Sequence, residues 1–163
     1  MLKPANYNDG DIIAMDRAYI DYARFEELTN RGVTYVTKMK KNLVYDTLSD
    51  TMYMLPCGLM ECRVQVVEFR KHIKGGENIK HKARIVTYVD PAKKKAKVIS
   101  LLTNDMTMEV EDIIDIYRQR WEIELLFKQL KQNFPLKYFY GESANAIKIQ
   151  IWVTLRANLL LMV

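Results

Sequence analysis

The sequence predicts an α/β fold: a mixed sheet with helices, interrupted by an antiparallel β insertion. Three observations carry that expectation. A short apolar strand, a helix and a second strand follow one another within residues 1–40. β-rich segments separated by turns occupy 41–104. Two helical patterns close the chain from 105 to 163. Regions 1–40 and 105–163 are therefore read as one domain, and 41–104 as a β-rich insertion into it.

The first strand is Asp11-Ile12-Ile13-Ala14-Met15, an apolar run without polar alternation. Such a run is expected where helices cover both faces of a sheet. It ends at Asp16. Tyr22, Phe25 and Leu28 recur at spacing three, the pattern of a short helix, and Asn30-Arg31-Gly32 supplies its stop. Val33 to Thr37 is β-branched and aromatic, which suits a strand. Strand, helix and strand of these lengths predict a βαβ unit with a parallel pair.

In the insertion, Cys62–Phe69, Ala83–Val89 and Ala96–Leu102 read as strands. Gly75-Gly76-Glu77-Asn78 and Asp90-Pro91-Ala92-Lys93 read as their connections. Thr107 is the expected cap of a long helix with Glu109, Glu111 and Asp112 in its first turn, where acids suit the helix dipole. Pro135 breaks that pattern. A last helix starts near Ser143 and is apolar nearly all round, so it is expected to be buried.

With 49% apolar residues the chain can build a core, and disorder is not the default. No stretch reaches the roughly 18 uninterrupted apolar residues of a membrane span. The start, Met1 to Asn6, lacks the apolar core of a signal peptide, so a cytoplasmic protein is expected. Cys57, Cys62, His72 and His81 are too few for a disulfide framework and match no compact zinc spacing. The cysteines are expected to be reduced and structural. No small-molecule cofactor is indicated.

The formal charge is +5, from 25 basic and 20 acidic residues. That suits a polyanion without requiring one. Basic residues gather at Lys38-Met39-Lys40-Lys41, at Arg70-Lys71-His72-Ile73-Lys74 and at Lys93-Lys94-Lys95-Ala96-Lys97. Solvated loops or protected strand edges would account for these runs equally well.

The long helix carries the most informative pattern. At about 100° per residue, Arg120, Glu124 and Lys131 fall within about 60° of Tyr117 on one stripe. Ile116, Ile123, Phe127 and Leu130 form an apolar stripe beside it, so Ile123 and Phe127 are expected to pack inward. On helix geometry alone, an Arg120–Glu124 ion pair on a solvated helix explains the same residues.

Tyr117, Arg120, Glu124 and Lys131 have the spacing Tyr-x2-Arg-x3-Glu-x6-Lys. This resembles the signature of a large family of bacterial insertion-sequence transposases of the DDE class. Leu101-Leu102-Thr103-Asn104-Asp105 is similar to the segment that ends the family's insertion. Gly141 to Ala146 and Ile149 to Trp152 resemble its following loop and helix. Asp16-Arg17-Ala18-Tyr19 is similar to the family's Asp-Arg-Gly-Tyr. The resemblance covers essentially the whole chain.

The resemblance implies a ribonuclease-H-like fold, here partial, whose three carboxylates hold two divalent ions, Mg2+ or Mn2+. Such ions clamp the attacking and leaving oxygens of a displacement at phosphorus. It implies Asp16 as the second carboxylate and Glu124 as the third, both catalytic and both metal ligands, with their carboxyl groups expected within roughly 8 Å of one another. Tyr117, Arg120 and Lys131 would hold DNA phosphates, with transposon ends and target DNA as partners. It further implies DNA transposition and recombination by a mobile element, in a bacterial protein associated with the nucleoid through DNA.

The family's first aspartate lies on an earlier strand, and only 15 residues precede Asp16. Asp11 cannot replace it, being roughly 17 Å away along the same strand. The expectation is therefore a fragment, without the family's N-terminal DNA-binding domain and C-terminal elements, and inactive alone. Self-association is expected along the sheet edge beside Asp11–Met15. The alternatives are a DNA-binding or interaction module without catalysis, and another nuclease of the ribonuclease-H fold. The latter predicts the carboxylates and not the Tyr-Arg-Glu-Lys stripe.

Overall fold

The structure, a computed structural model, describes residues 2–54, 61–71, 78–90, 97–134 and 138–161. Chain contacts divide it into two compact units, Met1–Gln119 and Arg120–Val163.

The first unit is built on a mixed six-stranded sheet. Its strands are β1 (Ile12–Met15), β2 (Thr34–Lys38), β3 (Asp46–Met54), β4 (Glu61–Lys71), β5 (Ile79–Asp90) and β6 (Lys97–Thr103). Their order across the sheet is β1-β2-β6-β5-β4-β3. β1 and β2 are parallel, with Ile13 opposite Tyr35 and Ala14 opposite Val36. Every other pairing is antiparallel. The expected βαβ unit is present, and the β-rich segment continues its sheet through β6.

α1 (Tyr22–Asn30) starts at Asp21, whose Oδ1 accepts from the Ala23 N–H at 3.1 Å. It stops where the sequence places its stop. Gly32 takes φ +70°, the Gly32 N–H donates to the Thr29 carbonyl, and the Val33 N–H donates to the Leu28 carbonyl, each at 3.0 Å. This paired arrangement satisfies two of the helix's terminal carbonyls and turns the chain into β2. The positive φ is what favours glycine at residue 32; a Cβ there would also meet the Asp9 carboxylate, the end of an exposed side chain that can swing aside.

Successive residues of the inner strands go to opposite faces, as the pleat demands. On one face Tyr35, Val67, Phe69, Ala83, Ile85 and Leu102 pack with Phe25 and Leu28 of α1. On the other, Val36, Cys62, Val86, Tyr88, Ile99 and Leu101 pack with Val110, Ile113, Ile114 and Tyr117 of α2 (Val110–Asn133). Helix layers on both faces explain why β2, β5 and β6 read as apolar runs.

Four expectations need correction. β1 is not buried on both faces: Ile12 is exposed, because β1 is an edge strand with no outer neighbour among the described residues. Thr107 does not cap α2. Asp105 organises that turn, its Oδ1 accepting from the N–H groups of Thr107 and Met108 and from the Thr107 hydroxyl, and the helix begins at Val110. β3 was not expected; every residue of it is exposed, so it shows no buried face and no apolar period. α3 (Ala144–Leu161) starts as expected after Ser143, whose Oγ accepts from the Ala146 N–H. It is not buried, however: Trp152, Val153, Leu159 and Leu160 are exposed. The second unit holds only the end of α2 and α3, too few elements to enclose a helix that is apolar on every side.

Two polar devices lock the first unit. The Asn104 side chain, just past β6, accepts from the Tyr35 N–H and donates to the Val33 carbonyl and the Thr29 hydroxyl, all at 2.9 Å. It thus ties the end of the insertion to the junction of α1 with β2. His81 on β5 is fully buried. Its Nδ1 donates to Glu26 Oε2 at 2.7 Å, because a carboxylate can only accept. Its Nε2 then accepts from the Tyr35 hydroxyl at 2.6 Å. Cys62 is buried, and Cys57 and His72 lie outside the described residues.

Two outcomes are expected. Asn104→Ala strands the Tyr35 N–H and should lower unfolding free energy by about 1–3 kcal/mol in urea titration. Burial holds the His81 pKa below its ordinary 6.5, outweighing the Glu26 carboxylate, which pulls it up. The folded state therefore resists a proton that the unfolded chain accepts. Stability should be full above about pH 6.5 and fall below it, by at most about 1.4 kcal/mol per pH unit from this group. The urea midpoint measured between pH 7.5 and 5.5 should fall, and fall less in His81→Phe.

Candidate nucleic-acid and carboxylate sites

Asp16 follows β1 directly, at the C-terminal end of the parallel β1–β2 pair, where open α/β sheets place their ligands. Its carboxylate is exposed, and Oδ1 accepts from the Ala18 N–H at 2.8 Å, capping the 3-10 turn Arg17–Tyr19. That turn brings Arg17 to a cleft of about 680 Å3 that is also lined by Lys38, Lys40, Lys41, Lys97 and Ser100. The pairing of β2 with β6 gathers these cations. Lys38 stands opposite Leu101, and the Met39 N–H donates to the Ser100 carbonyl at 2.8 Å.

Two basic runs far apart in sequence thus meet beside Asp16. The sequence shows the runs, and only the strand pairing shows that Lys97 and Arg17 join the first of them. The remainder of the third run, Lys93–Ala96, lies outside the described residues, as do His72–Lys74 of the second.

The four signature residues divide between the units. Tyr117 belongs to the core of the first, 4% exposed, with its ring among Val110, Ile113 and Ile114. Burial of that ring makes it an anchor for the start of α2. Arg120, Glu124 and Lys131 belong to the second unit. Arg120 Nη1 donates to Glu124 Oε1 at 2.7 Å, and its guanidinium lies 5.3 Å from the centre of the Trp121 ring. The Arg120 side chain is 12% exposed and that of Glu124 47%. A nearly buried guanidinium on an open carboxylate is better ordered than a surface pair of two mobile side chains.

Glu124 and Lys131 line one open groove of about 690 Å3 together with Phe127, Lys128 and Gln132. Of the four signature residues only Glu124 and Lys131 line this groove; Tyr117 and Arg120, expected on the same stripe, are not among its lining residues. Its apolar neighbours do not behave as expected: Ile123 and Phe127 are 56% and 54% exposed. The stripe is covered only in part: Leu130 is 2% exposed and Ile116 packs on the core of the first unit, while Ile123 and Phe127 face solvent among the described residues.

Carboxylates are the right donors for a hard divalent cation, which takes oxygen ligands. Their number falls short. Asp16 and Glu124 stand in different units, and among the described residues no three or more His, Cys, Asp or Glu side chains gather as a metal site. Among the described residues, the donors gathered within either unit do not complete a two-ion centre.

The first unit is thus a helix-covered mixed sheet with an exposed carboxylate and a cationic cleft at the end of its parallel strand pair. Comparison makes the class specific: the family described as Transposase DDE domain matches residues 1–160, and the chain belongs to that family. A Synechocystis protein named as a transposase for insertion sequence element IS4SA is 29% identical over 154 residues, covering 94% of this chain and 41% of that protein. The Sinorhizobium fredii protein named as transposase y4zB is 27% identical over 168 residues, covering 96% and 46%. A Geobacillus stearothermophilus protein named as the transposase of element IS5377 is 25% identical over 166 residues, covering 94% and 39%. The chain thus spans less than half the length of these relatives. Among the described residues, no helix is long and apolar enough to cross a membrane.

The cleft yields a direct test. Lys40→Glu with Lys41→Glu should weaken binding of a fluorescent duplex by about tenfold or more at about 50 mM salt, with unchanged circular dichroism. An unaltered anisotropy titration would remove the cleft from the DNA path.

Proposed function

We propose that this chain is the part of an insertion-sequence transposase that holds DNA for strand cleavage and strand transfer. Residues 1–40 and 105–163 form its catalytic portion and 41–104 its β-rich insertion. The observation that supports the reading best is the open groove shared by Glu124 and Lys131, with Arg120 fixed on Glu124. It brings an acceptor-only carboxylate, held by Arg120, into one groove with the Lys131 ammonium.

In this reading Arg120 and Lys131 hold phosphate oxygens of the transposon end. Arg120 offers a planar fork of donors, and Lys131 a point charge on a flexible stem. Tyr117 is the proposed third phosphate-contacting residue of the signature, its ring held in the core of the first unit. The cationic cleft beside Asp16 carries a further stretch of backbone. These contacts neutralise phosphates and read little sequence. Asp16 and Glu124 are the proposed catalytic carboxylates and ligands for Mg2+ or Mn2+, and the centre needs donors beyond these two. That shortfall favours a second reading, a DNA-binding module without catalysis of its own.

Binding and cleavage assays separate the two readings. Affinity for unrelated duplexes should fall steeply with salt, and Arg120→Ala and Lys131→Ala should each reduce the salt slope by roughly one. With Mg2+ or Mn2+, plasmid nicking by the purified chain should not exceed that of Glu124→Ala. Nicking that depends on Glu124 would instead establish a completed catalytic centre. Failure to bind any duplex at low salt would overturn both readings.

A further inference from the structure

The cleft beside Asp16 has a wall that phosphate binding alone does not call for. Five cations line it, Arg17, Lys38, Lys40, Lys41 and Lys97, and no Asp or Glu is among its lining residues. The same lining includes one aromatic ring, Tyr45. At about 680 Å3 the cleft is not a flat charged surface. Pockets of roughly 300–1,000 Å3 are the size that takes in a small organic group.

Tyr45 is held in place from behind. It is half-buried, and its ring meets Phe69 at 65° with centroids 5.5 Å apart. Phe69 is itself fully buried and stacked on Tyr22 of α1 at 4.6 Å. A ring braced by the core in this way loses little freedom when a ligand packs on it. A second hollow of about 480 Å3 adjoins the cleft, bordered by the same Arg17, Lys40 and Lys41 and closed by Asn42 and Leu43. The order is an aromatic wall, then three shared cations, then an amide with an apolar wall. A nucleic-acid strand alternates base, phosphate and base in the same way.

We propose that this cleft receives single-stranded DNA, with one unpaired base stacked on Tyr45 and the adjoining phosphates on Arg17, Lys40 and Lys41. In a duplex each base face already lies against its neighbours, so a ring inside a cleft cannot reach it. An unpaired base offers its π-face to such a ring whatever its identity. Arg17 belongs to the turn that Asp16 caps, so a strand held here runs past that carboxylate. An acidic peptide would satisfy the cations and has no need of a flat ring among them. The inference rests on the DNA reading and narrows the form of DNA taken at this place.

Anisotropy titrations of the full chain at about 50 mM salt, with a labelled single strand and with a duplex of the same length, test the proposal. The unaltered chain should bind both. Tyr45→Leu keeps an apolar side chain against Phe69 and removes the π-face. It should weaken single-strand binding by about fivefold or more, and duplex binding by less than about twofold. Tyr45→Phe should hold both within about twofold. A purely structural Tyr45 would move the two forms together. As a second measurement on the unaltered chain, a strand carrying 5-iodouracil at each thymine should cross-link to Tyr45 on irradiation, and the matching duplex should not. Four results would each overturn the inference and leave the DNA reading standing: equal weakening of both forms, weakening of neither, cross-links that miss Tyr45, or displacement of the strand as readily by polyglutamate as by unlabelled strand. Failure of the unaltered chain to bind either form would overturn the DNA reading itself, and this inference with it.

Discussion

The first unit depends on the position of β2. This strand pairs parallel with β1 on one side and antiparallel with β6 on the other. Through the first contact it closes the βαβ unit, and through the second it receives the whole β-rich segment back into the same sheet. Its side chains divide accordingly, Tyr35 toward α1 and Val36 toward α2. Tyr35 is the most heavily used residue of the strand. Its ring stacks on Phe25 with centroids 4.1 Å apart, its hydroxyl meets His81, and its amide meets Asn104. A strand committed on both edges and both faces cannot shift register without inverting its contacts. Whatever stands at its C-terminal end is therefore set with equal rigidity, and the cationic cleft stands there.

Much of this architecture was legible because the signals were local. The βαβ start was carried by an apolar run, a three-residue spacing and a Gly32 stop, each of which acts within a few residues. The strands β4, β5 and β6 announced themselves by β-branched and aromatic content. What could not be read were features that depend on distant neighbours. β3 has no buried face, so nothing in its own residues marks it; β4 makes it a strand. The exposure of Ile12 follows from β1 being outermost, a property of the sheet order. α3 carries a strong apolar signal, but periodicity measures the wish to be covered and not the presence of a cover. Asp105 took the place expected for Thr107 because a carboxylate two residues earlier can accept three hydrogen bonds at once. Those bonds, with Arg84 nearby, hold its pKa low despite partial burial, which raises it.

The candidate site was legible to a different degree. Helical spacing placed Glu124 and Lys131 on one face, and they do share a groove. Spacing also placed Tyr117 near that face without revealing that its ring belongs to the core. The ion pair between Arg120 and Glu124 fits a bland helix as well as a functional one, since either use leaves the guanidinium on the carboxylate until a phosphate arrives. The clustering of Arg17 and Lys97 with Lys38, Lys40 and Lys41 was beyond reach from sequence, because it needs the β1–β2 and β2–β6 pairings together.

Asn104 has a consequence for how such a domain can diversify. Its three bonds fasten the returning chain at one point, directly before the turn that launches α2. Everything between Lys38 and Lys97 lies on the far side of that fastening. Asn104 is not the sole tie: Phe69, His81 and Ile85 also hold β4 and β5 to α1 and β2. A change of length in the connections of the outer strands therefore leaves the frame that carries Asp16 and the start of α2 in register only while those side chains keep their places.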